Sequence, residues 1–181
     1  MAGIVSMFRG VNLGPHRRIK MDALRGVCAP LGLQDPRTYV QSGNVVFQTK
    51  EGSLERLALR IEDAFERAFG FRSEVILRTA AEMEDVIARN PLANRRGIEP
   101  ARLLVTFLGA APGAEARAKI LEMQSDPEEI YLDGRELYIY FANGMARPKL
   151  SMAQIDRVLK TRWTGRNWNT VMALSEMASS G

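Results

Sequence analysis

Apolar positions along this chain repeat with two different periods, and each change of period marks a new element. Ile4 to Phe8 is a short apolar run closing at Gly10, long enough for a strand and too short for a helix. A loop follows through Ile19. Met21, Leu24, Val27, Cys28 and Leu31 then keep helical spacing until Pro30 and Gly32 end the pattern. Thr38 to Gln41 and Val45 to Gln48 are β-rich runs separated by Ser42, Gly43 and Asn44, which is hairpin chemistry. Ser53 is placed to cap a helix with its apolar face at Leu54, Leu57, Ile61, Phe65 and Ala68, and Gly70 to stop it. Glu74 to Leu77 reads as a further strand.

Thr79-Ala-Ala-Glu82 is a capping box for a helix with Met83, Val86 and Ile87 inward, ending before Asn90-Pro91. Leu92 to Pro100 reads as a linker. The order then repeats: a strand at Leu103 to Leu108, a helix at Glu115 to Met123, and a hairpin of Ile130 to Leu132 with Leu137 to Phe141 around Asp133-Gly134. Ser151-Met-Ala-Gln154 opens another helix, an extended piece near Arg166 supplies a last strand, and Val171, Leu174 and Met177 lie on a terminal helix. The two hairpins align without gaps, Thr38-Tyr39-Val40 over Ile130-Tyr131-Leu132 and Val45-Val46-Phe47 over Leu137-Tyr138-Ile139. The expected fold is therefore α+β, two tandem ferredoxin-like (β-α-β-β-α-β) repeats with an added linking helix and a C-terminal helix. The expected boundaries are 1–78 for the first unit, 79–100 for the connecting helix and linker, and 101–181 for the second unit with the terminal helix. Several strands, such as Val75-Ile76-Leu77 and Leu103-Leu104-Val105, are apolar on both faces. Sheets built from them need cover on both sides, from the other unit, the extra helices or a second subunit.

Composition mainly excludes. The chain has 181 residues, 46% hydrophobic and 25% charged, ordinary for a globular protein. One cysteine and one histidine rule out an internal disulfide and a His/Cys metal site, and no apolar run approaches the length of a membrane span. The N-terminus reads as a strand and not as a signal peptide, so a reduced, cytoplasmic location is expected. The net charge of +4 is unevenly spread. Arg9 to Lys20 carries +4 with no carboxylate, Arg147 to Arg166 carries +5, and the remainder sums to −5. That polarity suits an anionic partner, against the alternative of a solvated charged surface.

Nucleophile-elbow, Walker A and dinucleotide-fingerprint motifs are missing, and no cofactor is implied. Cys28 stands among apolar helix positions and reads as packing. Arg9-Gly-Val-Asn-Leu-Gly14, followed by His16, Arg17, Arg18 and Lys20, lies between a strand and a helix, where glycines let backbone approach a ligand and free N–H groups favour an anion. Near the C-terminus Arg166-Asn-Trp-Asn-Thr170 joins an extended piece to a helix, with Asn167 or Asn169 as cap. The candidate ligand-binding set is Arg9, Asn12, Lys20, Ser42, Asn44, Arg166, Asn167 and Asn169, with His16 or Asp22 as the only bases at hand. The bland readings are a glycine turn with solvated arginines and a capped helix over a buried Trp168.

These residues also carry a resemblance. Arg9-Gly-Val-Asn-Leu-Gly14, Lys20-Met21, Thr38-Tyr-Val-Gln-Ser-Gly-Asn-Val-Val-Phe47, Asn90-Pro91 and Arg166-Asn-Trp-Asn-Thr-Val171 resemble the recurring blocks of the bacterial DUF1697 family, a domain of unknown function. The resemblance implies a small bacterial protein with two ferredoxin-like repeats and implies no activity. Two departures stand out. Pro15 occupies a position usually held by a second glycine and stiffens the loop, and Thr164-Gly165 replaces a more typical Thr-Thr or Thr-Ala.

Three functions compete. The first is binding of a small anionic ligand, bearing phosphate or carboxylate, by the basic Gly/Asn loop. A nucleic-acid version of it lacks the aromatic signature of RNA-recognition modules in Asn44-Val-Val-Phe-Gln48. The second is an enzyme of unknown reaction on an anionic metabolite, and the third is a structural or self-associating protein.

Overall fold

The N-terminal apolar run forms β1 (Ala2–Phe8), the strand around which the first unit is built. The computed structural model describes residues 1–181. β1 pairs antiparallel with β3 (Asn44–Thr49) on one side and β4 (Val75–Thr79) on the other, and β2 (Gln34–Thr38) adds to the outer edge of β3. The sheet order is β2-β3-β1-β4. Strand side chains alternate between faces, so Ile4, Phe8, Val45, Phe47, Val75 and Leu77 meet Leu24 of α1 (Met21–Gly26) and Leu57, Ile61 and Phe65 of α2 (Leu54–Phe69) in one core. The caps of α2 follow the sequence: Ser53 Oγ accepts from Arg56 N–H, and Gly70 closes the helix at φ 76°.

The second unit repeats this plan. β5 (Leu103–Leu108) is flanked by β7 (Glu136–Tyr140) and β8 (Trp163–Asn167), and β6 (Glu129–Asp133) lies beyond β7, giving the order β6-β7-β5-β8. Its core joins Ile130, Leu137 and Ile139 to Ile120 of α4 (Ala114–Glu122) and to Ile155 and Leu159 of α5 (Met152–Leu159). The registers of β1 with its two neighbours match those of β5 with its own, position by position. Ser6 faces Val45 and Leu77 across the first sheet, as Thr106 faces Leu137 and Gly165 across the second.

Two helices stand outside the repeat, α3 (Ala80–Ala88) and α6 (Trp168–Ser179). The chain is thus mixed α/β, with two four-stranded antiparallel sheets and six α-helices. Its compact units are Met1–Glu84 with Ala173–Gly181, and Asp85–Met172. These bounds differ from 1–78, 79–100 and 101–181, because the end of α6 returns to the first unit. There Arg37 donates to Met177 O at 2.8 Å, Ser179 Oγ donates to Glu84, and a Cβ on Gly3 would meet the Ala178 carbonyl oxygen at 2.2 Å. That close approach explains the glycine in β1. In the second unit Tyr138, fully buried on β7, donates its hydroxyl to Val86 O of α3 at 2.6 Å. The extra helices therefore lie against parts of both sheets, and strand positions that need cover on the second face, Val5, Met7, Val46 and Ile76 among them, are buried.

Two expected elements are corrected. The strand expected at Thr38 to Gln41 ends at Thr38 and begins at Gln34. It includes Pro36, tolerated because β2 is an edge strand with a register shift between Gln34 and Arg37. The helix expected from Met21 to Leu31 stops at Gly26 and resumes as a 3-10 turn at Ala29–Leu31. Pro30 has no N–H to return to Gly26 and disfavours a helical Ala29.

Candidate functional site

Two loops of the first unit are longer than their counterparts in the second. Twelve residues, 9–20, separate β1 from α1, against five, 109–113, between β5 and α4. In the hairpins, the paired residues Thr38 and Val45 are seven positions apart, whereas the equivalent Leu132 and Leu137 are five apart. This two-residue insertion is why the gap-free alignment of Thr38-Tyr39-Val40 over Ile130-Tyr131-Leu132 puts the first strand out of step.

The two longer loops are tied together by Asn12. Its Nδ2 donates to Gln41 O at 2.7 Å and to Ile19 O at 3.1 Å, and its Oδ1 accepts from Ile19 N–H at 2.6 Å. Asn12 has φ 57°, a left-handed conformation that asparagine tolerates better than most residues. On the hairpin side Phe8 N–H donates to Gly43 O at 2.9 Å. Gly43, at φ 76°, packs so closely on Phe8 and Val11 that a Cβ would meet their Cβ atoms at 3.1 and 3.0 Å. Asn44, fully buried, donates to Tyr39 O and Ser42 Oγ and so holds the turn from inside.

Between these loops lies an open groove of about 1020 Å³, lined by Asn12, Gly14, Pro15, Arg18, Ile19, Lys20, Met21, Asp22 and Gln41. Its positive charge comes from two exposed side chains, Arg18 and Lys20, which make no ion pair. The other cations of the loop are engaged elsewhere. Arg9 pairs with Glu74 at 3.6 Å, and the Arg17 guanidinium lies 4.9 Å from the centre of the Phe71 ring. Asp22 pairs with Arg25. His16 is exposed and outside the lining. The α1 helix has only six residues, so the field in the groove comes from side chains and not from a helix end.

Of the eight sequence candidates, Asn12 and Lys20 line this groove. Ser42 and Asn44 shape the adjoining turn through each other. Arg9 sits at the root of the loop, where its carbonyl accepts from Ser73 Oγ at 2.7 Å. Arg166, Asn167 and Asn169 belong to the second unit and do not line the groove. Arg166 on β8 is buried, donates to Thr164 Oγ1 and Gly165 O at 2.8 Å each, and is pushed by burial down to about 10. Asn167 caps α6, its Oδ1 accepting from Thr170 N–H at 3.0 Å, while Asn169 is exposed and Trp168 half-buried. Arg18 and Gln41 complete the groove without belonging to the sequence set. Arg18 sits in the basic loop already singled out, but no feature of the sequence separates it from Arg9 and Arg17. Cys28 is buried, and burial raises its thiol to about 11, which fits packing. No three His, Cys, Asp or Glu side chains gather in a way that would hold a metal ion, and no helix is long and apolar enough to cross a membrane.

The whole chain is similar in fold to the conserved bacterial protein SP0830 from Streptococcus pneumoniae, with a TM-score of 0.73 over 98% of each chain and 20% identity. No curated protein matches it. A family model, DUF1697, described as protein of unknown function, matches residues 1–138 and so includes both groove loops and the Asn90-Pro91 block. The Arg166 block lies beyond the matched residues. With that match over most of its length, the chain belongs to the DUF1697 family.

Proposed function

We propose that this protein binds a small anionic ligand, bearing phosphate or carboxylate, in the groove between the β1–α1 and β2–β3 loops. One observation carries the reading: Arg18 and Lys20 face a groove of about 1020 Å³ without an acidic partner, on loops lengthened only in this unit. A protein that repeats a fold and lengthens the same end of one copy has put length where ligand contact is made. Asn12 preorganises the loop and Lys20 supplies charge, while Arg9, Ser42 and Asn44 support the walls. Arg166, Asn167 and Asn169 are left out of the binding set, as Arg166 and Asn167 bond within β8 and to the start of α6 and none of the three lines the groove. The scaffold is two tandem ferredoxin-like units, supported by the element order and the two matching sheet orders. A bacterial, cytoplasmic, cofactor-free binding role is the simplest setting for such a site.

The test is calorimetric titration with inorganic pyrophosphate at low salt. Micromolar to millimolar binding is expected, weakened about tenfold by Arg18→Ala and again by Lys20→Ala, each removing a charge-assisted contact. Affinity should fall as salt rises. No binding, or binding indifferent to both substitutions, overturns the proposal. A single-stranded oligonucleotide bound far more tightly than pyrophosphate, with a steep salt slope, would replace it with nucleic-acid binding.

A further inference from the structure

We infer that the ligand of this groove carries an apolar body beside its anionic group, an inference that rests on the anion-binding reading above. The starting observation is Val40. It is a β-branched residue at φ 49°, half of its surface is exposed, and it directly precedes the groove residue Gln41. β-Branched side chains avoid this backbone region, and a residue kept there is imposed by its surroundings. Here the imposing groups are visible. The carbonyl before Val40, that of Tyr39, accepts from Asn44 Nδ2 at 3.1 Å, and the carbonyl after it, that of Gln41, accepts from Asn12 Nδ2 at 2.7 Å. Two asparagine side chains thus hold the peptide before Val40 and the carbonyl of the residue after it, and the apolar side chain between them stays half in water.

The facing loop does the same. Leu13, between the lining residues Asn12 and Gly14, is 75% exposed, more than any other large apolar residue of the chain. Single exposed apolar residues are ordinary. Two of them are not scattered here, because the Asn12 to Gln41 hydrogen bond joins the two loops immediately beside both. Both adjoin the lining in sequence without belonging to it, and the lining itself mixes Pro15, Ile19 and Met21 with Arg18 and Lys20. The volume also exceeds what a bare phosphate fills and lies at the upper end for pockets that take whole small molecules. A hydrophilic anion would gain nothing from Leu13 and Val40. An organic phosphate or carboxylate with an aryl or alkyl body would cover them.

The experiment compares phenyl phosphate with inorganic phosphate on the full chain, by calorimetry, for the wild type, Leu13→Ser and Val40→Gly. Phenyl phosphate is expected to bind about tenfold more tightly than inorganic phosphate, the gain from burying part of a ring against two side chains. Leu13→Ser and Val40→Gly should each erase much of that ratio and leave inorganic phosphate unchanged. Val40→Gly also removes the strained conformation, so it should unfold at a higher denaturant concentration than wild type while binding phenyl phosphate less well. Equal affinity for the two phosphates, or a ratio untouched by both substitutions, overturns this inference and leaves the anion site standing. Failure of both phosphates to bind defeats the anion site itself. Binding to phosphatidylglycerol vesicles without binding of phenyl phosphate also overturns the inference, assigning the apolar lip to a membrane surface.

Discussion

Asn12→Ala is the substitution that most directly separates a structural from a ligand-contacting role in the groove. The side chain makes three hydrogen bonds, two donated to Ile19 O and Gln41 O and one accepted from Ile19 N–H. Each is worth about 0.5–1.5 kcal/mol net, and the lower part of that range applies where water replaces the partner, as at the exposed Gln41. Alanine at φ 57° adds about 1 kcal/mol of backbone strain that asparagine partly escapes. Together these give about 2–3 kcal/mol, acting on loop opening and not on the whole unit, whose core lies elsewhere. The fitting assay is amide hydrogen exchange at Ile19, a buried residue whose N–H points at Asn12 Oδ1. The expected acceleration is about 30- to 150-fold. Asn12→Asp, which keeps the acceptor and loses both donations, should fall between wild type and alanine. An Ile19 amide exchanging at the wild-type rate in Asn12→Ala, together with lost pyrophosphate binding, would refute this reasoning and make Asn12 a ligand contact.

Other substitutions probe the scaffold. Glu62 is fully buried on α2, accepts from Val75 N–H and from Arg72 at 3.0 Å each, and ties the helix to the start of β4. Glu62→Ala should lower stability by about 2–4 kcal/mol in urea unfolding, since it leaves a buried N–H unpaired, and Glu62→Gln by about half as much. Glu129 is held below its ordinary value of 4.5 chiefly by hydrogen bonds from Arg95, with Tyr131 adding to them. A depressed carboxyl stabilises the fold fully above 4.5 and loses that contribution as pH falls through its folded value. Glu129→Gln should therefore cost about 0.5–1 kcal/mol at pH 7, this being a partly exposed pair, and nothing near pH 2, as read from unfolding midpoints. Cys28 should resist a thiol reagent at pH 8 until the chain unfolds, because burial has raised its thiol to about 11.

The sequence carries the elements well where one physical rule acts alone. Leu103 to Leu108 is a strand at the expected limits, and Ser53 and Gly70 bound α2 as their chemistry requires. It misleads where tertiary context overrides a local preference. Tyr39, Val40 and Gln41 have strand-forming character, yet the two clamping asparagines fold them into a turn and displace the strand to Gln34–Thr38. The basic loop was legible from its charge and its glycines. The division of labour inside it was not, because it depends on Glu74 and Phe71 from distant parts of the chain claiming Arg9 and Arg17. Arg166 is a basic residue in a suggestive motif, and its burial and its bonds to Thr164 Oγ1 and Gly165 O were not legible from that motif.

The place of Arg166 becomes intelligible through the repeat. On β4 the residue facing Val5 of β1 is Arg78, and on β8 the residue facing Val105 of β5 is Arg166. Both arginines are buried, and both are followed at once by a polar residue that caps the next helix. Thr79 and Glu82 exchange hydrogen bonds at the start of α3, and Asn167 accepts from Thr170 N–H at the start of α6. Arginine, cap and extra helix thus form one device used twice, once in each unit. A ligand role for Arg166 alone leaves its twin unexplained, whereas a shared structural role explains both. The units differ in several connections, and at the end of the sheet that carries the groove the difference is the lengthened loops at 9–20 and 39–43. A feature kept in both copies serves the fold they have in common, and a feature built into one copy is where the two have come to differ in function. On the proposed anion-binding reading, that difference is carried by Asn12, Arg18, Lys20 and Val40.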